Sequence, residues 1–178
     1  MYIPAILGTA RVGRQSEKVA NYVLDIVRSS GHETELIDVK DLRTPSTDNT
    51  GEIPQAKKLA EKIIKADGLI IIMPEYNHSY PGELKMMLDM LYEEFFKRPV
   101  AICGVSRGPL GGARGVQALR LTCIALGMVP LLEAVYFSNV ETLFDEGGKI
   151  KDDSYEGRVK GLIEALTVMA SSLKTARK

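Results

Sequence analysis

The run Gly68-Leu69-Ile70-Ile71-Ile72-Met73 is apolar on both alternating faces. Neighbouring residues of a strand point to opposite faces, so such a run is buried on both sides, as a strand is in a parallel sheet covered by helices. Pro99 to Val105 repeats the pattern. Parallel neighbours cannot be joined by a tight hairpin and need a long crossover, usually helical. The chain supplies one between these runs: Leu84, Met87, Leu88, Leu91, Tyr92 and Phe95 recur at helical spacing and predict one helix.

The alternation extends from end to end. Tyr2 to Leu7 is the expected first strand, starting late because Pro4 removes a ladder donor. A helix beginning near Ser16 carries Val19, Tyr22, Val23, Ile26 and Val27 on one face and ends before Gly31. Glu33 to Val39, of mixed polarity, suits an edge strand. Asp41 to Ile53 is a turn-rich connection, and Leu59, Ala60, Ile63 and Ile64 give the second helix a narrow apolar face. After the strand Pro99 to Val105 comes a helix that is apolar nearly all round, from Val116 through Leu121 and Ile124 to Leu126. Either neighbouring elements or a second subunit must cover its surplus. Val129 to Phe137 is the fifth strand, and Val159, Leu162, Ile163, Leu166, Met169, Ala170 and Leu173 line a closing helix. The pattern predicts an α/β fold, a doubly wound parallel sheet with right-handed crossovers in one domain over residues 1–178.

With 45% hydrophobic residues the chain can fill a core unaided, and 23 basic against 23 acidic residues argue against nucleic acid or an acidic membrane as partner. Cys103 and Cys123 have no zinc-like spacing and read as reduced core thiols. Met1-Tyr2-Ile3-Pro4 enters the first strand without a signal region, so the cytoplasm is the expected location.

In a doubly wound sheet ligands bind beyond the carboxyl ends of the strands. The unusual loops here follow the first, third and fourth strands and so converge at one edge. The first, Gly8-Thr9-Ala10-Arg11-Val12-Gly13-Arg14-Gln15-Ser16, reads as an anion cradle. Backbone N–H groups lie at the positive end of a helix, Thr9 and Ser16 add hydroxyls, and Arg11 and Arg14 add charge. Ser16 can equally be an ordinary N-cap with both arginines solvated. The loop lacks the glycine-lysine-hydroxyl order of a Walker loop and the third glycine of the dinucleotide fingerprint, which favours a mononucleotide. The second, Pro74-Glu75-Tyr76-Asn77-His78-Ser79-Tyr80-Pro81-Gly82, suits a flat heteroaromatic ring: Tyr76 offers a surface and Asn77 a donor and an acceptor. Glu75 can orient a ring N–H or bind a backbone N–H, and His78 is a candidate catalytic group or a solvated one. Ser106-Arg107-Gly108-Pro109-Leu110-Gly111-Gly112 is the third loop.

On these motifs, with Glu83-Leu84-Lys85, Arg114 and Leu119-Arg120, the chain resembles the flavodoxin-like NADPH-dependent FMN reductases, a family with related quinone and azo-dye reductases. The resemblance implies strand order 2-1-3-4-5 with helices on both faces. It implies an FMN phosphate held by Thr9, Arg11 and Ser16, with Arg14 and Gln15 in the same loop. It further implies an isoalloxazine lined by Pro74, Glu75, Tyr76, Asn77, His78 and Ser79, and flanked by Ser106, Gly108, Gly111 and Gly112. Many relatives have serine where Thr9 stands, which keeps the hydroxyl. The flavin would take hydride from NADPH at N5 and pass it to a small-molecule acceptor: free FMN, a quinone, an azo dye or a metal oxyanion. No protein acid or base is then required. NADH remains open as donor, and Arg14, Arg107 and Arg114 are candidates for the extra phosphate of NADPH. A homodimer or dimer of dimers would account for the apolar surplus at Met86, Met90 and the helix from Gly112 to Leu126. The competing reading is a flavin electron carrier, though such carriers are usually strongly acidic.

Overall fold

The computed structural model describes residues 1–47 and 50–177. Asp48 and Asn49 of the Asp41 to Ile53 connection, and Lys178, lie outside the described residues. Strands β1 (Ala5–Leu7), β2 (Leu36–Asp38), β3 (Leu69–Pro74), β4 (Pro99–Val105) and β5 (Val129–Phe137) form one sheet in the order β2-β1-β3-β4-β5. Every pairing is parallel. This is the doubly wound flavodoxin-like order. The helices are α1 (Ser16–Ser29), α2 (Pro54–Lys65), α3 (Gly82–Leu88), α4 (Ala113–Ala125), α5 (Val140–Leu143) and α6 (Ser154–Leu173).

The strands feed two cores alternately. Ile70, Ile72, Ala101, Cys103 and Val105 pack under α1 and α6. Their neighbours Leu69, Ile71, Met73, Val100 and Ile102 pack under α2, α3 and α4. Burial pushes the thiols of Cys103 and Cys123 up to about 12, so both stay protonated core groups at neutral pH.

Three differences from the sequence pattern have physical causes. The ladder of β1 begins at Ala5, while Tyr2 makes only an isolated bridge to Glu33. Pro4 has no N–H to donate, although its carbonyl accepts from Ile70 N at 3.1 Å. The helix expected from Leu84 to Phe95 ends at Leu88, and Glu93–Phe95 is a separate 3₁₀ turn. In a continuous helix Met90 would lie off the apolar stripe; breaking the helix turns it into the core, where it is 3% exposed beside Leu91 and Phe95. Met90 therefore needs no second subunit. On α4, Val116, Leu119 and Cys123 are buried, whereas Leu121 and Ile124 are 71% and 59% exposed, so the apolar surplus there is a real surface feature.

Candidate functional site

The crevice lies where winding reverses, between the ends of β1 and β3, because β1 is followed through α1 by β2 on one side while β3 runs on to β4 on the other. A cleft of about 200 Å³ opens there, lined by Arg11, Gln15 and Ser16 from the first loop, Pro74, Glu75 and Tyr76 from the second, and Ser106 and Arg107 from the third. The structure thus brings residues of all three loops together.

The first loop leaves β1 at Leu7 and enters α1 at Ser16. Gly13 has φ +70, a left-handed conformation that glycine adopts freely. Gln15, at the N-cap, makes no side-chain cap bond, so nothing of its own closes the positive end of α1. Ser16 is 2% exposed, and its Oγ is buried with no protein hydrogen-bond partner. A buried hydroxyl without a partner is costly, and here it stands in the wall of the cleft. Thr9 is fully buried; its Oγ1 lies 3.1 Å from the Tyr76 hydroxyl and accepts from Arg11 N at 3.3 Å. The Arg11 guanidinium is 4.4 Å from the centre of the Tyr76 ring, a cation–π contact that tethers an exposed arginine over the cleft.

Arg14 behaves differently. Its Nη1 donates to the Thr9 carbonyl at 2.5 Å and to Asp38 Oδ1 at 2.8 Å, and its Nη2 donates to Asp38 Oδ2. The pair with Asp38 raises the arginine above its ordinary value although burial opposes this. Burial alone would raise the Asp38 carboxyl, but hydrogen bonds from Arg14 and from Lys40 N outweigh it and hold Asp38 below the usual carboxylate value. Asp38 ends β2, opposite Leu7, and lies 24 residues from Arg14 in the chain. No local pattern links the two; only the facing of β1 and β2 could have suggested the pair.

In the second loop Tyr76 and Ser79 exchange N–H···O bonds of 2.8 and 2.9 Å, and Asn77 and His78 between them have φ 50 and 64. Two left-handed residues at the tip match a type I′ turn, which asparagine tolerates and histidine adopts less readily. Both tips are exposed. Of the alternatives for Glu75, the second is observed: its Oε2 accepts from the backbone N–H groups of Arg114 and Gly115 at 3.0 and 3.2 Å. The carboxylate caps α4 from another loop and locks the second loop to the third. Gly115 allows that approach, since a Cβ there would meet Ser79 O at 2.9 Å.

The third loop packs by its glycines. Gly112 has φ +87, and a Cβ on it would come within 2.9 Å of Val105 N. Gly111, at φ +57, would strike Tyr136 Cβ at 2.6 Å. Ser106 Oγ donates to Gly108 O at 3.0 Å, so its hydroxyl shapes the loop. Arg107 is 79% exposed by side chain and pairs with Glu141 at 3.0 Å, while Arg114 lies 3.8 Å from Glu75.

The arrangement places an uncapped helix N-terminus and an unpartnered buried hydroxyl in a cleft that is also lined by Tyr76, with the exposed Arg11 over its ring, and by Ser106 and Arg107 of the third loop. A phosphate monoester carrying a planar ring fits that donor set. The family model described as NADPH-dependent FMN reductase matches residues 1–142. An NAD(P)H-dependent FMN reductase of Pseudomonas aeruginosa is 30% identical over 176 residues, 95% of both chains. A quinone reductase of Pseudomonas putida is 27% identical over 158 residues, 84% of each. Among solved structures, the flavoenzyme NAD(P)H:(acceptor) oxidoreductase FerB of Paracoccus denitrificans aligns with TM-score 0.81 at 22% identity, covering 96% of this chain and 97% of that one.

Proposed function

Since this chain belongs to the NADPH-dependent FMN reductase family, we propose that it reduces a quinone or a free flavin with electrons from NADPH through FMN held in the three-loop cleft. The observation that carries the reading is the buried, unpartnered Ser16 Oγ at an uncapped helix N-terminus, which supplies donors and positive potential where a phosphate would sit. FMN held there by the first-loop residues would supply the redox chemistry, two-electron transfer between a reduced nicotinamide and the acceptor.

The chain's own residues bind and orient. Ser16 and Arg11, which line the cleft, would hold the phosphate with Gln15 beside them, while the fully buried Thr9 hydroxyl, bonded to Tyr76 and Arg11 N, would brace the loop behind them. Pro74, Tyr76 and Ser106, which line the cleft, would flank the ring, with the loop Gly108 to Gly112 behind Ser106. Backbone N–H groups of the second and third loops would stabilise negative charge on the reduced flavin. Glu75 acts on this site indirectly, by fixing the second loop to α4. Of the three arginines considered for the extra phosphate of NADPH, Arg14 is committed to Asp38, which leaves the exposed Arg107 as the better candidate, with Arg114 second.

A cavity of about 200 Å³ is smaller than the ~300–1,000 Å³ of pockets that enclose a ligand of this size. A second copy completes the enclosure, and the exposed Leu121 and Ile124 of α4 supply its apolar contact. The test is steady-state NADPH oxidation by protein stripped of flavin. Turnover that requires added FMN, with either a benzoquinone or excess free flavin as acceptor, supports the proposal, and turnover indifferent to FMN refutes it.

A further inference from the structure

Among the described residues, the polar or charged ones that are buried are Thr9, Arg14 and Ser16, and all three lie in the first loop. Ser16 has an unpartnered hydroxyl in the cleft wall that a phosphate could use, whereas the Thr9 hydroxyl is bonded to Tyr76 and Arg11 N. Arg14 does not fit that role, because its guanidinium is already engaged. A guanidinium has five N–H donors in a rigid plane. Here Nη1 serves Thr9 O and Asp38 Oδ1, Nη2 serves Asp38 Oδ2, and Nε faces Glu17 Oε2 at 3.5 Å. Three of the five N–H groups are thus hydrogen-bonded inside the protein and Nε faces a carboxylate, so although Arg14 borders the cleft its side chain is 4% exposed and its charge is already matched.

We propose that Arg14 is a positioning residue: clamped on Asp38, it holds the Thr9 carbonyl and so fixes the first loop in the shape that presents its donors to the FMN phosphate. This rests on the FMN reading above. The clamp joins the beginning of the loop, at Thr9, to its end, at Arg14, and anchors both to the last residue of β2. Asp38 is held in turn by Lys40 N at 2.9 Å, so the anchor is itself oriented.

The middle of the loop has no comparable support. Val12 is 98% exposed, and a Cβ on Gly13 would meet nothing within 4 Å. Val12 and Gly13 therefore project outward, and their packing cannot define the path of the chain between Arg11, which rests on Tyr76, and Arg14. With the clamp intact the donors are ordered before the ligand arrives. Without it, binding must order them, and affinity falls by the free energy of that ordering. A lysine, with a single point charge on a flexible stem, cannot bridge the carbonyl and both carboxylate oxygens.

The test compares Arg14→Met, Arg14→Lys and Asp38→Asn by flavin fluorescence quenching, with FMN and riboflavin as parallel ligands. The two flavins differ only in the phosphate. The clamp predicts that all three variants lose FMN affinity by about tenfold or more while riboflavin affinity is unchanged. Asp38→Asn is decisive in sign. If Arg14 bound the phosphate directly, loosening Asp38 would free the guanidinium and FMN would bind as well or better. FMN affinity retained in Asp38→Asn or Arg14→Lys therefore overturns the proposal, as does an equal loss for both flavins. Should Arg14→Met fail to fold, the other two variants decide. Wild-type protein that binds no FMN would instead remove the FMN reading itself. A second readout is amide hydrogen exchange across residues 10–16 of the flavin-free protein: Asp38→Asn should raise it in that segment alone, and an unchanged segment contradicts the clamp.

Discussion

Substituting Ser16 by alanine should act in opposite directions on ligand binding and on folding. The Oγ is buried and has no protein partner, and Gln15 rather than Ser16 stands at the N-cap. Deleting it removes no cap bond. A buried hydroxyl left unpaired costs about 1–3 kcal/mol in mutational data, and alanine is also the better helix former. The flavin-free variant should therefore gain about 1 kcal/mol, which for a chain of this size raises Tm by about 2–4 °C. With FMN the balance reverses. A hydrogen bond to a charged group is worth about 1.5–3 kcal/mol, and each 1.4 kcal/mol is a factor of about ten, so Kd for FMN should rise by about 10- to 150-fold. Riboflavin, which has no phosphate, should bind as before. Thermal unfolding of the flavin-free protein and parallel titrations with the two flavins measure both signs. A lower Tm would show Ser16 to be a structural cap. Unchanged FMN affinity, or equal losses for both flavins, would refute the phosphate assignment.

Gly112→Ala should lower Tm by about 2–8 °C, since the left-handed backbone costs about 1–2 kcal/mol outside glycine, and at φ +87 the new Cβ also meets Val105 N at 2.9 Å; an unshifted melt contradicts the packing. The folded-state value of Asp38 is depressed, so its stabilisation is present above the unfolded value near ~3.9 and is lost as pH falls through the folded one. Denaturant melts of wild type and Asp38→Asn should differ by a constant amount from about pH 5 to 8 and converge below about pH 4; a gap that widens on acidification would invert the argument. Leu121→Glu with Ile124→Glu should give a monomer by light scattering with unchanged circular dichroism, whereas unaltered association would place the interface elsewhere. Arg107→Ala should raise KM for NADPH and leave that for NADH unchanged, and equal changes would exclude Arg107 from the extra phosphate.

Much of the fold was legible because burial on both faces leaves a local record. Pro99–Val105 and Val129–Phe137 were bounded to the residue, and the buried run Gly68 to Met73 is displaced by one residue at each end from the strand Leu69–Pro74. Ser16 was recognisable as the start of α1 from its hydroxyl and the apolar stripe that follows. What could not be read is what depends on distant partners. Met90 lay off the helical stripe and is buried only because the helix breaks at Leu88. No local signal shows that Arg14, which reads in the sequence as a source of charge for an anion, is paired with Asp38 from β2. Glu75 was ambiguous for the same reason: its acceptors' partners, Arg114 N and Gly115 N, are 39 and 40 residues away. Composition and spacing identified which loops meet at the sheet edge, but not which of their side chains bind one another.

The most direct test of the account is the absorption spectrum of FMN-reconstituted protein before and after anaerobic NADPH. Bound-flavin bands that bleach on NADPH addition and return on addition of a quinone are predicted. Bands that persist would mean a flavin carrier without reductase activity, and FMN that never binds would contradict the site itself.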